Sequence, residues 1–230
     1  MANRNLELLA NVARLLRPML GDLVFVGGCT TALLITDTGA AEVRPTYDVD
    51  VIAEITSYSE YEKFSERLRQ LGFEPDQTEG APICRWGHGD IRLDVMPTDE
   101  KILGFSNRWY KPAMENSQTV QLANDLAIRV VTAPLFLGTK LEAFNGRGKN
   151  DYFGSQDLED VIAVVDGRES LLDEIQHAPK ELKGYLASEI QKLLGRQEFL
   201  DVLPGYLLPD VASQARLGKL LKILRSIVDV

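Results

Sequence analysis

Apolar residues in the first half of the chain come in short runs that end at glycines, prolines or charged segments. The run LVFV at 23–26 precedes Gly27 and Gly28, whereas DVDVIAEI at 48–55 and IRLDVMP at 91–97 alternate apolar with polar positions. Such alternation is typical of strands with one buried face. Three further runs predict strands: PICRW at 82–86, which the turn GHGD joins to the strand at 91–97, TVQLA at 119–123 and AIRVVT at 127–132.

Helical periodicity predicts two helices among these strands. The first covers 6–17, where leucines and valines recur every three or four residues. The second covers 59–71, because Ser59 and Glu62 fit a capping box and Gly72 follows the last apolar position.

Beyond residue 133 the helical period dominates. Helices are predicted at 133–145, 155–166, 168–177, 180–194 and 209–228, with a glycine-rich loop, NGRGKNDYFGS, between the first two. We therefore predict an α/β (α+β) fold in which a mixed sheet flanked by helices occupies 1–132 and a helical region occupies 133–230.

Charge and hydropathy narrow the functional classes. The 230 residues carry a formal net charge of −9 at pH 7, which argues against a broad nucleic-acid surface because phosphate binding needs clustered Lys and Arg. No apolar run reaches the length of about 18 residues that a membrane span requires. The amphipathic N-terminus does not resemble a signal peptide. We expect a cytoplasmic protein without a membrane partner, in which Cys29 and Cys84 are reduced thiols.

Three aspartates are the strongest chemical signal. Side chains alternate along a strand, so Asp48 and Asp50 project from one face, and Asp94 joins them if its strand is a neighbour. Carboxylates held together repel each other, and a cation usually offsets the repulsion. Three hard oxygen ligands suit two Mg²⁺ or Mn²⁺ ions of the kind that catalyse phosphoryl transfer. We predict that these aspartates are both metal ligands and catalytic residues.

A second signal is the order of elements around Gly27 and Gly28, which follow a predicted strand and precede a predicted helix. Glycines at such a turn let backbone amides approach a phosphate closely. Thr30 or Thr31 is the expected cap of the following helix.

These segments together resemble a known superfamily. VGGCTTALL, TYDVDVI and RLDVMP resemble the polymerase-β-like nucleotidyltransferases, whose motif is hG[GS], then Dh[DE]h, then a later strand carboxylate. TKLEAFNGRGKNDYFGSQDLEDV resembles a segment of the AbiEii-like (abortive-infection, type IV toxin) nucleotidyltransferases. The resemblance covers roughly residues 20–168.

The resemblance implies an enzyme that moves a nucleoside monophosphate from an NTP to an acceptor hydroxyl and releases pyrophosphate. It implies a nucleotidyltransferase-type sheet and two Mg²⁺ or Mn²⁺ ions held by the three aspartates. It also implies that the nucleotide is bound by Gly27, Gly28, Thr30, Thr31, Lys140 and Asp157. Asp160 takes the place of the second acidic residue of the family's segment. Lys149 is the alternative to Lys140 as the phosphate contact.

The acceptor and the biological role stay open at this point. The resemblance implies tRNA, a protein or a small molecule as acceptor, and a toxin that is paired with a cognate antitoxin protein. Two alternatives remain: an antibiotic-type small-molecule adenylyltransferase, or a nucleotide-binding interaction module with a decayed site.

Overall fold

The computed structural model describes residues 3–148 and 151–230. The chain divides into two compact units. The first contains Arg44–Thr132 and the residues up to Ala32, and the second contains Leu33–Val43 and Ala133–Val230. The units therefore meet in sequence after Thr132, where the pattern changes to helical, but residues 33–43 belong with the helical unit.

The first unit is built on a seven-stranded mixed sheet with strand order β3-β4-β5-β2-β1-β7-β6. The central strand β2 runs parallel to β5 and antiparallel to β1, and β1 runs parallel to β7. The predicted mixed sheet is confirmed. The strands are β1 Leu23–Val26, β2 Asp48–Ala53, β3 Glu74–Pro75, β4 Arg85–His88, β5 Ile91–Pro97, β6 Gln118–Ala123 and β7 Leu126–Val130.

Helices pack against this sheet because they bury apolar faces on it. Helix α1 contacts β2, β6 and β7 and buries Leu9, Val12 and Ala13, while α5 contacts β1 and β2. All four residues of β1 are buried, which places the core of the unit around this strand. The helices that begin in this unit are α1 Arg4–Leu15, α2 Thr31–Leu34, α3 Tyr58–Gln70, α4 Glu100–Leu103 and α5 Tyr110–Glu115.

The second unit is helical, as predicted. Helix α6 contacts α7, α8 and α9, and α12 contacts the same three helices. The predicted helix at 209–228 is two helices, and the predicted helix at 133–145 continues to Arg147. The helices are α6 Ala133–Arg147, α7 Gln156–Gly167, α8 Leu171–His177, α9 Lys180–Leu194, α10 Gln197–Val202, α11 Val211–Ala215 and α12 Leu217–Val228. Within the described ranges, no helix is long and apolar enough to span a membrane.

Backbone and charge contacts attach residues 33–43 to the second unit. The amides of Thr36 and Asp37 both donate to the carbonyl of Gly167, each at 2.9 Å. Arg216 pairs with Asp37 at 2.7 Å and with Asp166 at 2.8 Å. These partners lie far away in sequence, so local patterning could not assign this segment to the helical unit.

The N-terminus of α3 lies two residues earlier than the predicted capping box. Ser57 is the N-cap, and its hydroxyl accepts from the amide of Glu60 at 3.2 Å. The Glu60 carboxylate in turn accepts from the amide and hydroxyl of Thr56, at 2.8 and 2.9 Å. Ser59 is an exposed residue inside the helix.

Two serine variants distinguish these capping assignments. Ser57→Ala should lower the free energy of unfolding by about 1 kcal/mol, because the first turn loses a side-chain acceptor. Ser59→Ala, the matched control, should change it by less than about 0.5 kcal/mol. Urea denaturation of both variants measures the difference. A larger effect at Ser59 would contradict the observed cap.

Candidate active site

Strand pairing brings the three predicted aspartates together. In the parallel pair of β2 with β5, Asp50 lies opposite Asp94, and Asp48 lies two residues earlier on β2. Paired residues on neighbouring strands project from the same face, and so do residues two apart on one strand. All three carboxylates therefore share one face of the sheet, and the expectation that their strands are neighbours is confirmed.

Gly27 lies directly beside the Asp50 carboxylate. Its φ is 74° and its ψ is −173°, a backbone conformation that is nearly confined to glycine. A β-carbon at this position would lie 1.8 Å from Oδ2 of Asp50. The glycine that ends β1 is therefore required both by the turn and by the carboxylate that packs against it.

Arg85 is the cation of this site. It lies opposite Asp94 in the antiparallel pair of β4 with β5. Its Nε and Nη2 each donate to one oxygen of Asp94 at 2.7 Å, and the same Nη2 donates to Asp48 at 2.9 Å. The oxygens of two aspartates thus lie within hydrogen-bond distance of one nitrogen, which places Asp48 and Asp94 side by side.

The hydrogen bonds and negative charges of the aspartates favour the charged form of Arg85 and outweigh the effect of burial. Asp94 is 5% exposed, and its side-chain hydrogen bonds raise the pKa of Arg85 above its ordinary value. Cys84, the residue before Arg85, has its pKa raised to about 12 by burial and by the negative charges of Asp94 and Asp50. The Cys84 thiol is therefore protonated at neutral pH and is no nucleophile.

The two threonines of the predicted phosphate-binding turn are fully buried. Thr30 donates its hydroxyl to the carbonyl of Gly27 at 2.9 Å, and so closes the turn that starts with Gly27 and Gly28. The Thr31 hydroxyl has no hydrogen-bond partner among the residues that the structure describes. A phosphate contact by Gly28, Thr30 or Thr31 stays a prediction.

Lys140 lies in the second unit, between two carboxylates. Its ammonium, on α6, is 3.2 Å from Asp157 and 2.7 Å from Asp160, both on α7. The lysine side chain is 9% exposed, so this is a buried ion cluster. The expected contact between Lys140 and Asp157 is present, whereas their contact with a triphosphate stays a prediction.

Arg147 adds a second cation to Asp157. Its Nε and Nη2 donate to the two oxygens of that carboxylate at 3.0 and 2.9 Å. Burial raises the pKa of Asp157, but the hydrogen bonds and charges of Arg147 and Lys140 outweigh it and lower the pKa below its ordinary value. Lys149, the alternative phosphate contact, lies outside the described residues.

The chemistry of the first-unit site fits divalent cations. Asp48, Asp50 and Asp94 supply hard oxygen ligands on one face, and a guanidinium already neutralises part of their charge. Among residues 3–148 and 151–230, no group of three or more His, Cys, Asp or Glu side chains is arranged to hold a metal ion. Two of the three aspartates contact Arg85 instead, so metal binding there requires a change in these contacts.

Sequence reasoning missed the roles of Arg85 and Arg147. The predicted turn GHGD is longer than the observed one, in which His88 pairs with Ile91 and only Gly89 and Asp90 connect the strands. A two-residue turn sets the register of a hairpin, and it would have placed Arg85 opposite Asp94. No comparable local signal places Arg147, because it reaches Asp157 through the packing of α6 on α7.

Structural comparison identifies the architecture that carries these residues. The chain is similar to the crystal structure of an antigenic nucleotidyltransferase-like protein from Paracoccidioides brasiliensis, with a TM-score of 0.52 and 18% identity. The match covers 87% of this chain and 93% of that chain. This chain has a nucleotidyltransferase-like fold. Neither a family model nor a curated protein matches its sequence.

The contact between Gly27 and Asp50 in this nucleotidyltransferase-like fold predicts a steep cost of substitution. Gly104→Ala is the control, because its φ is 80° and a β-carbon there meets nothing within 4 Å. We expect Gly104→Ala to destabilise by about 1–2 kcal/mol and Gly27→Ala by at least about 1 kcal/mol more, because the new methyl group overlaps a carboxylate. Thermal denaturation of both variants tests this order, and equal losses would refute it.

The buried position of Lys140 predicts a large loss of stability in Lys140→Met. The buried carboxylates of Asp157 and Asp160 would then lose their lysine and keep only the exposed Arg147, which contacts Asp157. Breaking a buried ion cluster in this way costs about 3–5 kcal/mol. Arg147→Met is the control: 72% of that side chain is exposed, and surface pairs contribute about 1 kcal/mol or less. Guanidinium denaturation at pH 7 measures both variants.

The loss of stability in Lys140→Met should depend on pH. The pKa of Asp157 is lowered in the folded protein, so its ionised form stabilises the fold above the ordinary value of 3.8, and this stability is lost as the pH falls through the lower folded value. The deficit of Lys140→Met should therefore shrink as the pH falls from 3.8 through the lowered pKa of Asp157, because a protonated carboxyl group no longer needs a cation beside it. A deficit that is unchanged at low pH would point to lost packing instead.

Proposed function

We propose that this chain is a metal-dependent nucleotidyltransferase that moves a nucleoside monophosphate from an NTP to an acceptor hydroxyl and releases pyrophosphate. One observation carries the proposal: β2 and β5 bring Asp48, Asp50 and Asp94 to one face of the sheet, beside the glycine that ends β1. The nucleotidyltransferase-like fold also supports the proposal.

Asp48, Asp50 and Asp94 would hold two Mg²⁺ or Mn²⁺ ions. Bound there, the ions would offset the charge of the triphosphate and stabilise the attacking and leaving oxygens. Asp48 is already oriented for a role in the site, since the Thr46 hydroxyl donates to its Oδ1 at 2.8 Å.

The protein groups contribute position and proton transfer. Asp94 is nearly buried and would accept the proton of the acceptor hydroxyl at a carboxylate oxygen. Gly27 lacks a side chain, so the backbone of the turn can approach a phosphate closely. Lys140 would balance phosphate charge, with Asp157 holding its ammonium before substrate binds.

The acceptor is proposed from the resemblance to the AbiEii-like family. That resemblance favours a tRNA end and a toxin whose activity a cognate antitoxin protein blocks. Because the net charge is −9, a polyanionic acceptor would need a local basic surface. The protein can be incubated with an extract of the cells it comes from and with each of the four labelled NTPs in turn. The species that becomes labelled would identify both the nucleobase and the acceptor.

Asp48→Asn tests the catalytic role in that assay. We expect NMP transfer to fall by at least about 100-fold, because a neutral amide replaces one of the three anionic carboxylates that would bind the metal ions. Asp90→Asn is the control: Asp90 is exposed in the turn before β5, and its substitution should leave transfer unchanged. Circular dichroism would show that both variants are folded. Full transfer by folded Asp48→Asn would overturn the proposal.

A further inference from the structure

Arg85 makes three close contacts in the candidate site. It binds both oxygens of Asp94 and one oxygen of Asp48, at distances of 2.7–2.9 Å. Only 17% of the Arg85 side chain and 7% of the Asp94 side chain are exposed, so this pair is largely shielded from water, whereas 35% of the Asp48 side chain is exposed. Bidentate, charge-assisted contacts of this geometry are among the strongest hydrogen bonds in proteins.

These contacts use the ligands that a metal ion would need. A carboxylate oxygen that accepts a hydrogen bond from a guanidinium has one fewer lone pair for a cation, and the positive charge of the arginine also repels a cation. Metal ions and Arg85 therefore compete for Asp48 and Asp94.

The geometry points to Arg85 as a built-in counter-ion that holds Asp48 and Asp94 together without metal and leaves them when divalent ions bind. This inference rests on the proposed function, in that the same aspartates are taken as the metal ligands. Arg85 is then a positioning residue: it sets the affinity of the site for metal through the aspartates.

The strand arrangement allows such an exchange. The three aspartates are on neighbouring strands β2 and β5, whose backbones the sheet holds in register, whereas the cation is at the end of a long side chain on β4. An arginine side chain can change its torsion angles while the backbone stays in place. Loss of the arginine contacts therefore leaves the backbones of β2 and β5 in place, so the three carboxylates stay on one face of the sheet.

Arg17 provides a matched control. It contacts Asp125, in the turn between β6 and β7, at 2.7 Å, and 53% of its side chain is exposed. Arg17→Gln removes the same formal charge as Arg85→Gln, but beside the edge of the sheet opposite β4, where water and salt screen it.

The test is a titration of the full chain with Mn²⁺ alone, without nucleotide, in which electron paramagnetic resonance measures free Mn²⁺. We expect Arg85→Gln to bind Mn²⁺ at least about tenfold more tightly than the unmodified protein, because a neighbouring positive charge is removed. Arg17→Gln should change the affinity by less than about threefold. Asp94→Asn should abolish the tight binding in the Arg85→Gln background.

Thermal melts provide a second readout that does not depend on activity. Without metal, Arg85→Gln should melt below the unmodified protein, because the repulsion among three carboxylates is no longer offset. Saturating Mn²⁺ should raise its melting temperature by more than it raises that of the unmodified protein. If Arg85→Gln does not fold, Arg85→Lys serves instead: its single ammonium cannot make the bidentate contact, so Mn²⁺ should bind about threefold more tightly or better.

The possible failures are distinct. Equal Mn²⁺ affinity in Arg85→Gln and the unmodified protein, with both losing it in Asp94→Asn, overturns the role of Arg85 and leaves the proposed metal site intact. Absence of Mn²⁺ binding in every variant overturns the metal-dependent function together with this inference.

Discussion

Repulsion among like charges is the constraint on which the candidate site depends. The parallel pairing of β2 with β5 places Asp50 opposite Asp94, and Asp48 lies on the same face. Asp94 is 5% exposed, so its charge is poorly screened by water and needs a partner within the protein. Arg85 supplies that partner across β4 and β5. The sheet can hold a set of carboxylates because a neighbouring strand carries their counter-ion.

The same arrangement recurs in the second unit. Lys140 contacts two carboxylates, and Arg216 contacts two others. Removing one partner of a buried ion cluster leaves an uncompensated charge and destabilises strongly, even where the intact cluster adds little net stability. Each of these cations therefore specifies which segments come together. Arg216 shows this clearly, since it lies between α11 and α12 and pairs with Asp37 in the segment at 33–43 and with Asp166 on α7.

The nucleotidyltransferase-like fold and the side chains support different parts of the functional argument. The fold explains why the strands that carry the aspartates are neighbours, but one fold can serve many reactions. The proposed reaction rests on the side chains, namely a set of carboxylates and a glycine that leaves room for one of them. The arginine among them adds a feature that the fold does not imply, because it joins two of the carboxylates to the neighbouring strand β4.

The sequence by itself determined most of the strands and the longer helices, because apolar periodicity is a local property. The short elements β3, α4, α5 and α10 were not predicted, since so few residues do not establish a period. It also determined that Asp48 and Asp50 share a face, since alternation along one strand needs no partner. Tertiary structure decided what depends on contacts between distant residues: the pairing of Arg85 with Asp48, the bidentate contact of Arg147 with Asp157, and the place of residues 33–43 in the helical unit. Strand register and helix packing set these contacts, and both follow from the energy of the whole chain rather than from any one segment.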